Sequence, residues 1–290
     1  MTTIANLAAL SDHSAFPPAL FAKIQAIKAA LAGKKVVVAF SGGVDSGTLL
    51  ALALAFAKET RAVHFDSVFN MPGEVESASV VARFLKVDMQ VIKMDPLACD
   101  DVKSNPPERC YFCKKENFSR VLELAKKLKF DAVAEGSNAD DTGDYRPGMK
   151  AVKELGLLSP LLAAGIGKEE VRAIARVIGL PNAEKPSSPC LATRVAYGVE
   201  LTGEIIAAIG LAEAEIKASL PGVATVRARL HEDMVLRIEI DPPSLERLLS
   251  SDARVLLDLA ARIKKLGFKK VSLDLEGYKP GSLNELLQKK

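Results

Sequence analysis

The chain has 290 residues, 39 basic and 36 acidic side chains, and a formal net charge of +3. That near balance gives no broad electrostatic reason to bind nucleic acid or an anionic membrane, and 49% hydrophobic with 26% charged residues excludes a disordered chain. The length accommodates one large domain or two modest ones.

The longest apolar runs, residues 36–40 and 48–57, fall far short of the ~18 residues of a membrane span. The first ten residues lack the basic region of a secretory signal. Four cysteines in so long a chain are too few for a secreted disulfide scaffold, and three histidines are too few for a His-rich metal site. A cytoplasmic protein with reduced thiols and no membrane contact is expected.

Leu20, Ile24, Ile27 and Leu31 recur at helical spacing, with Gly33 just past the helix end. Residues 36–40, wholly apolar and with three valines, read as a buried parallel strand. A loop over 41–46 leads to an apolar helix over 47–57. Further strands are predicted at 61–65, 90–94 and 131–134. Helices are predicted at 74–85, 111–128, 148–155 and 168–178, with a proline-containing loop over 95–108. Strands alternating with helices predict a doubly wound parallel α/β sheet, whose ligands bind beyond the carboxyl ends of the strands. After a Pro- and Ser-containing stretch at 180–189 the pattern changes. A helix over 204–220, a hairpin of 225–230 with 235–240, helices at 244–249 and 253–266, and a strand at 270–275 make a small α+β unit. Ser251 or Asp252 is the expected N-cap of the 253–266 helix. The expected division is 1–200 and 201–290.

The strongest motif is Ser41-Gly42-Gly43-Val44-Asp45-Ser46, between a strand and a helix. Glycines allow a tight turn and close approach, and the amides of a helix N-terminus favour an anion. Ser41 and Ser46 add hydroxyl donors. Asp45 is out of place in an anion site unless a metal ion is present, which suggests a metal-bound polyphosphate. The loop lacks the Walker lysine and the G-x-G-x-x-G fingerprint. Its bland reading is a strand-to-helix turn capped by Asp45 or Ser46. The segment resembles the SGGxDS signature of the PP-loop ATP pyrophosphatase superfamily. That resemblance implies binding of ATP with Mg²⁺, splitting of ATP to AMP and pyrophosphate, and adenylylation of a carbonyl or carboxylate.

Cys110 and Cys113 form a C-x-x-C after the third predicted strand, at the ligand edge, and Cys190 lies near the end of the first domain. A lone C-x-x-C is ambiguous between a redox pair, half a zinc site and buried small residues. Structural zinc wants four protein ligands. Three thiolates suit a [4Fe–4S] cluster with one iron left open to carry sulfide. Cys99, alone, reads as a buried apolar residue. Downstream of the fourth strand, Asn138, Asp140, Asp141, Asp144 and Arg146 stand at the ligand edge, either as Mg²⁺ or substrate contacts or as a solvated polar loop. Arg227 and Arg229 alternate on one strand and share a face, suited to a phosphate or to pairing with Arg237 and Glu239 on an exposed surface. Lys264, Lys265, Lys269 and Lys270 read as solvated.

Arg109-Cys110-Tyr111-Phe112-Cys113-Lys114, Gly136-Ser137-Asn138-Ala139-Asp140-Asp141 with Asp144-Tyr145-Arg146-Pro147-Gly148, and Pro189-Cys190-Leu191-Ala192-Thr193-Arg194 together resemble the LarE family. With the phosphate loop they cover most of the chain up to about residue 200. The resemblance implies an ATP-dependent sulfur transferase of nickel-pincer nucleotide biosynthesis acting on the carboxylates of pyridinium-3,5-biscarboxylic acid mononucleotide. It implies nucleotide contacts from Ser41, Gly42, Gly43, Asp45, Ser46, Asn138 and Arg194, and substrate contacts from Arg146, Arg227 and Arg229. It also implies a catalytic, cluster-binding trio, Cys110, Cys113 and Cys190, as in the three-cysteine subgroup, with a separate sulfide donor. The other subgroup keeps only the cysteine matching Cys190 and sacrifices its sulfur. A homo-oligomer is expected. An RNA-thiolating enzyme and an ammonia-dependent ligase are the alternatives. The first would need a basic surface, and the second has no use for three cysteines.

Overall fold

The computed structural model describes residues 5–143, 146–250, 253–279 and 281. The valine run forms β1 (Lys35–Ala39), one of the two inner strands of a four-stranded parallel sheet with β2 (Glu59–Asp66), β3 (Met89–Lys93) and β4 (Ala132–Ala134). The strand order is β3-β2-β1-β4. The helices beside it are α1 (Pro18–Leu31), α2 (Val44–Phe56), α3 (Glu74–Phe84), α5 (Arg109–Lys127), α6 (Gly148–Glu154), α7 (Pro160–Ala163) and α8 (Lys168–Ile178); α4 (Asp100–Lys103) intervenes in the chain between β3 and α5.

β1 is continuously apolar because both its faces are covered. Val36 and Val38 join Ile24, Ile27, Leu49, Leu52, Val81, Ile174 and Ile178 on one side. Val37 and Ala39 join Val63, Phe118, Val121, Val133 and Val152 on the other. Each fully buried aliphatic side chain here contributes ~1.5–3 kcal/mol. The chain runs β1, β2, β3 outward, then returns to lay β4 on the free side of β1. The strand order therefore reverses between β1 and β4, the position where open α/β sheets bind ligands. The doubly wound α/β class expected from the alternating pattern is the class observed.

The rest of the chain builds α9 (Gly203–Ser219), β5 (Val226–His231), β6 (Val235–Ile240), α10 (Pro242–Leu249), α11 (Ala253–Lys264) and β7 (Lys270–Leu273). β5 and β6 pair antiparallel as a hairpin, and β7 adds parallel to β6. Thr202 caps α9 by accepting from the Ile205 amide, and Asp241 caps α10 by accepting from Ser244. Ser251 and Asp252, the expected cap of α11, lie outside the described residues.

Contacts group the chain into two compact units. The first comprises 1–67, 73–94 and 110–188. The second comprises 68–72, 95–109 and 189–290. The second unit thus draws two short segments from inside the first unit's stretch of sequence, for example through Leu191 N–H donating to the Phe69 carbonyl at 2.8 Å.

Candidate active site

Gly42 turns the chain at φ +78°, and a Cβ there would lie 2.8 Å from Ala78 Cβ on α3. Both the dihedral and the space call for glycine at this position. Gly43 is the extended N-cap of α2. The Ser46 hydroxyl, nearly buried, accepts from Ser41 N–H at 3.2 Å, stands 3.0 Å from the Ser41 hydroxyl and reaches the Gly43 carbonyl at 3.2 Å. These bonds fix the loop with the first amides of a thirteen-residue helix at its mouth, an anion-binding arrangement. From β4, Gly136 lies so close that a Cβ would sit 3.0 Å from the Ser46 nitrogen.

Asp45 sits in the first turn of α2 and is held from two sides. Asn138 Nδ2 donates to Oδ1 at 3.0 Å, and the Lys168 ammonium, at the start of α8, pairs with Oδ2. Asn138 is buried, and its Oδ1 accepts from the Asp140 amide at 3.0 Å. Asp140 in turn accepts from the Lys168 amide at 2.7 Å, fixing the lysine's position. Asn182 donates to the Gly42 carbonyl at 3.0 Å. The loop therefore does carry a lysine, supplied by a helix 122 positions downstream rather than by the loop itself. Lys168 and Asn182 were not among the residues singled out from the sequence. Arg146 is exposed and pairs with Asp141 at 2.7 Å. Asp144 and Tyr145 lie outside the described residues.

Cys110 and Cys113 occupy the first turn of α5, half-buried, and the Cys113 sulfur accepts from Asn117 Nδ2 at 3.7 Å. Lys114 on the same turn approaches Glu135 at 3.9 Å. Glu135, buried directly after β4, is held by the Ser137 and Ser159 hydroxyls at 2.7 and 2.5 Å. This carboxylate, next to Gly136, links the cysteine helix to the strand that abuts the phosphate loop. Sequence reading passed over it.

Cys190 is exposed and belongs to the second unit. Its segment is clamped by Arg194, which is fully buried. Arg194 donates to the Pro189 carbonyl at 2.7 Å, to the Cys190 carbonyl at 3.3 Å and to Glu213 at 2.8 Å. All four cysteines are thiols. Among the described residues no three His, Cys, Asp or Glu side chains converge to hold a metal ion. Cys110 and Cys113 lie one turn apart on a helix, and thiols are the donors that an iron–sulfur cluster takes.

Arg227 and Arg229 are buried rather than displayed on an exposed strand face. Arg227 stacks on Tyr278 with its guanidinium carbon 5.1 Å from the ring centre. Arg229 bonds Glu239 at 3.0 Å and the Thr193 carbonyl at 2.9 Å. Arg237 also bonds Glu239, at 2.9 Å. Burial, with the nearby Arg194 charge, pushes the Arg227 guanidinium below its usual range, and burial does the same to Arg229. Arg194, Arg227, Arg229 and Arg237 thus crowd around Glu213 and Glu239, a cation-rich group.

A family model described as queuosine biosynthesis protein QueC matches residues 35–102. The chain is 36% identical to pyridinium-3,5-bisthiocarboxylic acid mononucleotide synthase of Lactiplantibacillus plantarum, over 88% of this chain and 91% of that one. It is equally identical to the uncharacterized protein slr1717 of Synechocystis, over 88% of this chain and 94% of that one. A more distant likeness, 27% over 53% of this chain and 55% of the other, is to tRNA-specific 2-thiouridylase MnmA of Thermotoga petrophila.

Proposed function

Because this chain belongs to the LarE family of ATP-dependent sulfur transferases, we propose that it converts the carboxylates of pyridinium-3,5-biscarboxylic acid mononucleotide to thiocarboxylates. The observation that carries the reading is the match over nearly the whole chain to an enzyme named for the bisthiocarboxylic product. The geometry of 41–46, with Asp45 and Lys168 at the mouth of α2, supports ATP cleavage at the α–β bond.

In this reading the pyrophosphate of ATP lies on the amides of Gly42, Gly43 and Ser46, with the Ser41 and Ser46 hydroxyls as further donors. Asp45 would be the carboxylate that holds Mg²⁺, which in nucleotide sites needs one or two protein carboxylates besides phosphate oxygens. Lys168 exchanges Asp45 for phosphate and neutralises charge on the leaving pyrophosphate. Asn138 keeps Asp45 in its rotamer. A substrate carboxylate oxygen attacks the α-phosphorus, the α–β bond breaks, and pyrophosphate departs. The acyl-adenylate then accepts a sulfur nucleophile at its carbonyl carbon and releases AMP with the original carboxylate oxygen.

Cys110, Cys113 and Cys190 would hold a [4Fe–4S] cluster, which when bound supplies sulfide for this chemistry. Arg194 positions Cys190 through its two backbone contacts rather than touching nucleotide. The cation-rich group containing Arg227 and Arg229 supports binding of the substrate phosphate, since an added dianion would relieve the repulsion among the guanidiniums. Arg146 would meet substrate from the 139–148 segment. Iron and labile-sulfide analysis of anaerobically purified protein tests the sulfur route. Iron-free protein that turns over once and loses H₂S from Cys190 would establish the sacrificial route instead.

A further inference from the structure

We infer that Asn182 is a positioning residue for the phosphate loop, holding the peptide between Gly42 and Gly43 so that the Gly43 amide faces the pyrophosphate of ATP. The inference rests on the reading above that this loop holds that pyrophosphate.

A peptide unit is planar and trans, so its C=O and the following N–H point opposite ways. Whatever holds the Gly42 carbonyl therefore aims the Gly43 N–H. Asn182 Nδ2 donates to that carbonyl at 3.0 Å. On the opposite side, Gly43 N–H is directed at the hydroxyl of the exposed Ser41, 3.4 Å away. The peptide needs holding because glycine stands on both sides of it. Glycine populates positive and negative φ about equally, so an unheld unit can rotate and turn a carbonyl, rather than an amide, toward the anion.

Asn182 is itself firmly placed. It is buried, and its neighbours Leu180 and Ala183 belong to the core that holds Leu49, Ile174 and Ile178. It lies against Gly47 of α2, where a Cβ would sit 3.3 Å from Nδ2 and 3.6 Å from Oδ1. Glycine is unfavourable inside a helix, and here it leaves the room that the amide occupies. Oδ1 is buried and meets no donor among the described residues. A buried acceptor left unpaired is destabilising, so space filling alone would favour an apolar side chain. The polar contact that Asn182 makes is the one from its NH₂ end to a carbonyl that can only accept. As the α–β bond breaks, charge grows on the departing pyrophosphate, and an amide already aimed at it stabilises that charge without reorganising.

The test compares full-length wild type, Asn182→Asp, Asn182→Ala and Gly47→Ala. Binding of inorganic pyrophosphate is read by calorimetry, AMP release with Mg·ATP and the pyridinium substrate by product assay, and stability by urea unfolding. Asp has the shape of Asn but, ionised, only accepts. It draws the Gly43 N–H to itself and turns the Gly42 carbonyl to the mouth of the loop. Pyrophosphate affinity and kcat should fall ~10-fold in Asn182→Ala and ~100-fold or more in Asn182→Asp. Gly47→Ala, which raises helix propensity and crowds the amide off the carbonyl, should bind pyrophosphate more weakly while remaining folded. A folded Asn182→Asp protein whose affinity and turnover are no lower than those of Asn182→Ala overturns the inference, because packing alone would then explain the residue. If Asn182→Asp does not fold, the decision falls to the other two variants, and wild-type affinity in either overturns it. Wild-type protein that binds neither pyrophosphate nor Mg·ATP, or that releases ADP, overturns the reading of the loop itself, a separate and distinguishable result.

Discussion

Glu213 is the position where one substitution should cost most. It has no exposed side-chain surface, and neither does its partner Arg194 at 2.8 Å. Its Oε1 also accepts from the Ala228 amide of β5 at 3.1 Å. Glu213→Ala leaves a buried guanidinium without its counter-charge, which costs about 3–5 kcal/mol. It also orphans a strand amide, worth about 1–3 kcal/mol if the two losses were independent. They share one carboxylate, so about 5 kcal/mol in total is expected. Glu213→Gln keeps an acceptor for Ala228 but still removes the counter-charge, so it should lose about 3 kcal/mol, less than Glu213→Ala.

The chain has no tryptophan, so urea unfolding is followed by far-ultraviolet circular dichroism, with the free energy extrapolated linearly. Turnover should fall along with stability, because Arg194 also holds the Pro189 and Cys190 carbonyls. The double variant Arg194→Met/Glu213→Leu should recover most of the stability without recovering turnover, since an apolar pair removes the orphan charge but not the need for the clamp. A loss under about 1 kcal/mol in Glu213→Ala would refute the assignment of this pair as the anchor of the Cys190 segment.

Lys168→Met should weaken ATP binding and slow AMP release by roughly 10–100-fold, about one to two charge-assisted hydrogen bonds, as read by isothermal titration and product assay; unchanged values would remove the lysine from the site. Arg227→Ala and Arg229→Ala should weaken mononucleotide binding more than ATP binding, by on the order of 1.5–3 kcal/mol each, and an unchanged substrate dissociation constant in both would leave them purely structural. His231 should make stability rise with pH. Burial, then the Arg237 charge, holds its imidazole below the ordinary 6.5, so around and below that value the unfolded chain binds the extra proton. Urea midpoints should therefore climb as pH rises toward 6.5 and level off above it, and His231→Gln should flatten that part of the profile.

The phosphate loop and the sheet were readable in the sequence because both are local. Val36, Val37 and Val38 announce a strand covered on both faces, and the glycines and serines that follow must turn where the strand ends. The partners of Asp45 were not readable. Lys168 and Asn138 reach it across 123 and 93 positions, through the packing of α8 and the placement of β4 beside β1. Glu135 directly follows the strand predicted at 131–134, and nothing in a single sequence marks a carboxylate as buried between two serines and a lysine. Arg227 and Arg229 were correctly placed on one strand face, but alternation alone cannot tell a solvated face from a covered one. What covers them includes Tyr278, 51 residues after Arg227. The segments 68–72 and 95–109 belong by contact to the second unit although no compositional break sets them apart.

The measurement that bears most directly on the central claim is the product analysis of one reaction mixture. Anaerobic protein, Mg·ATP, a sulfide source and pyridinium-3,5-biscarboxylic acid mononucleotide are combined, and nucleotides and pyridinium species are identified by mass spectrometry. The account predicts AMP, pyrophosphate and a substrate in which a carboxylate oxygen has been exchanged for sulfur, all absent with Asp45→Ala. ADP with inorganic phosphate, or AMP with no sulfur-bearing product, would contradict it.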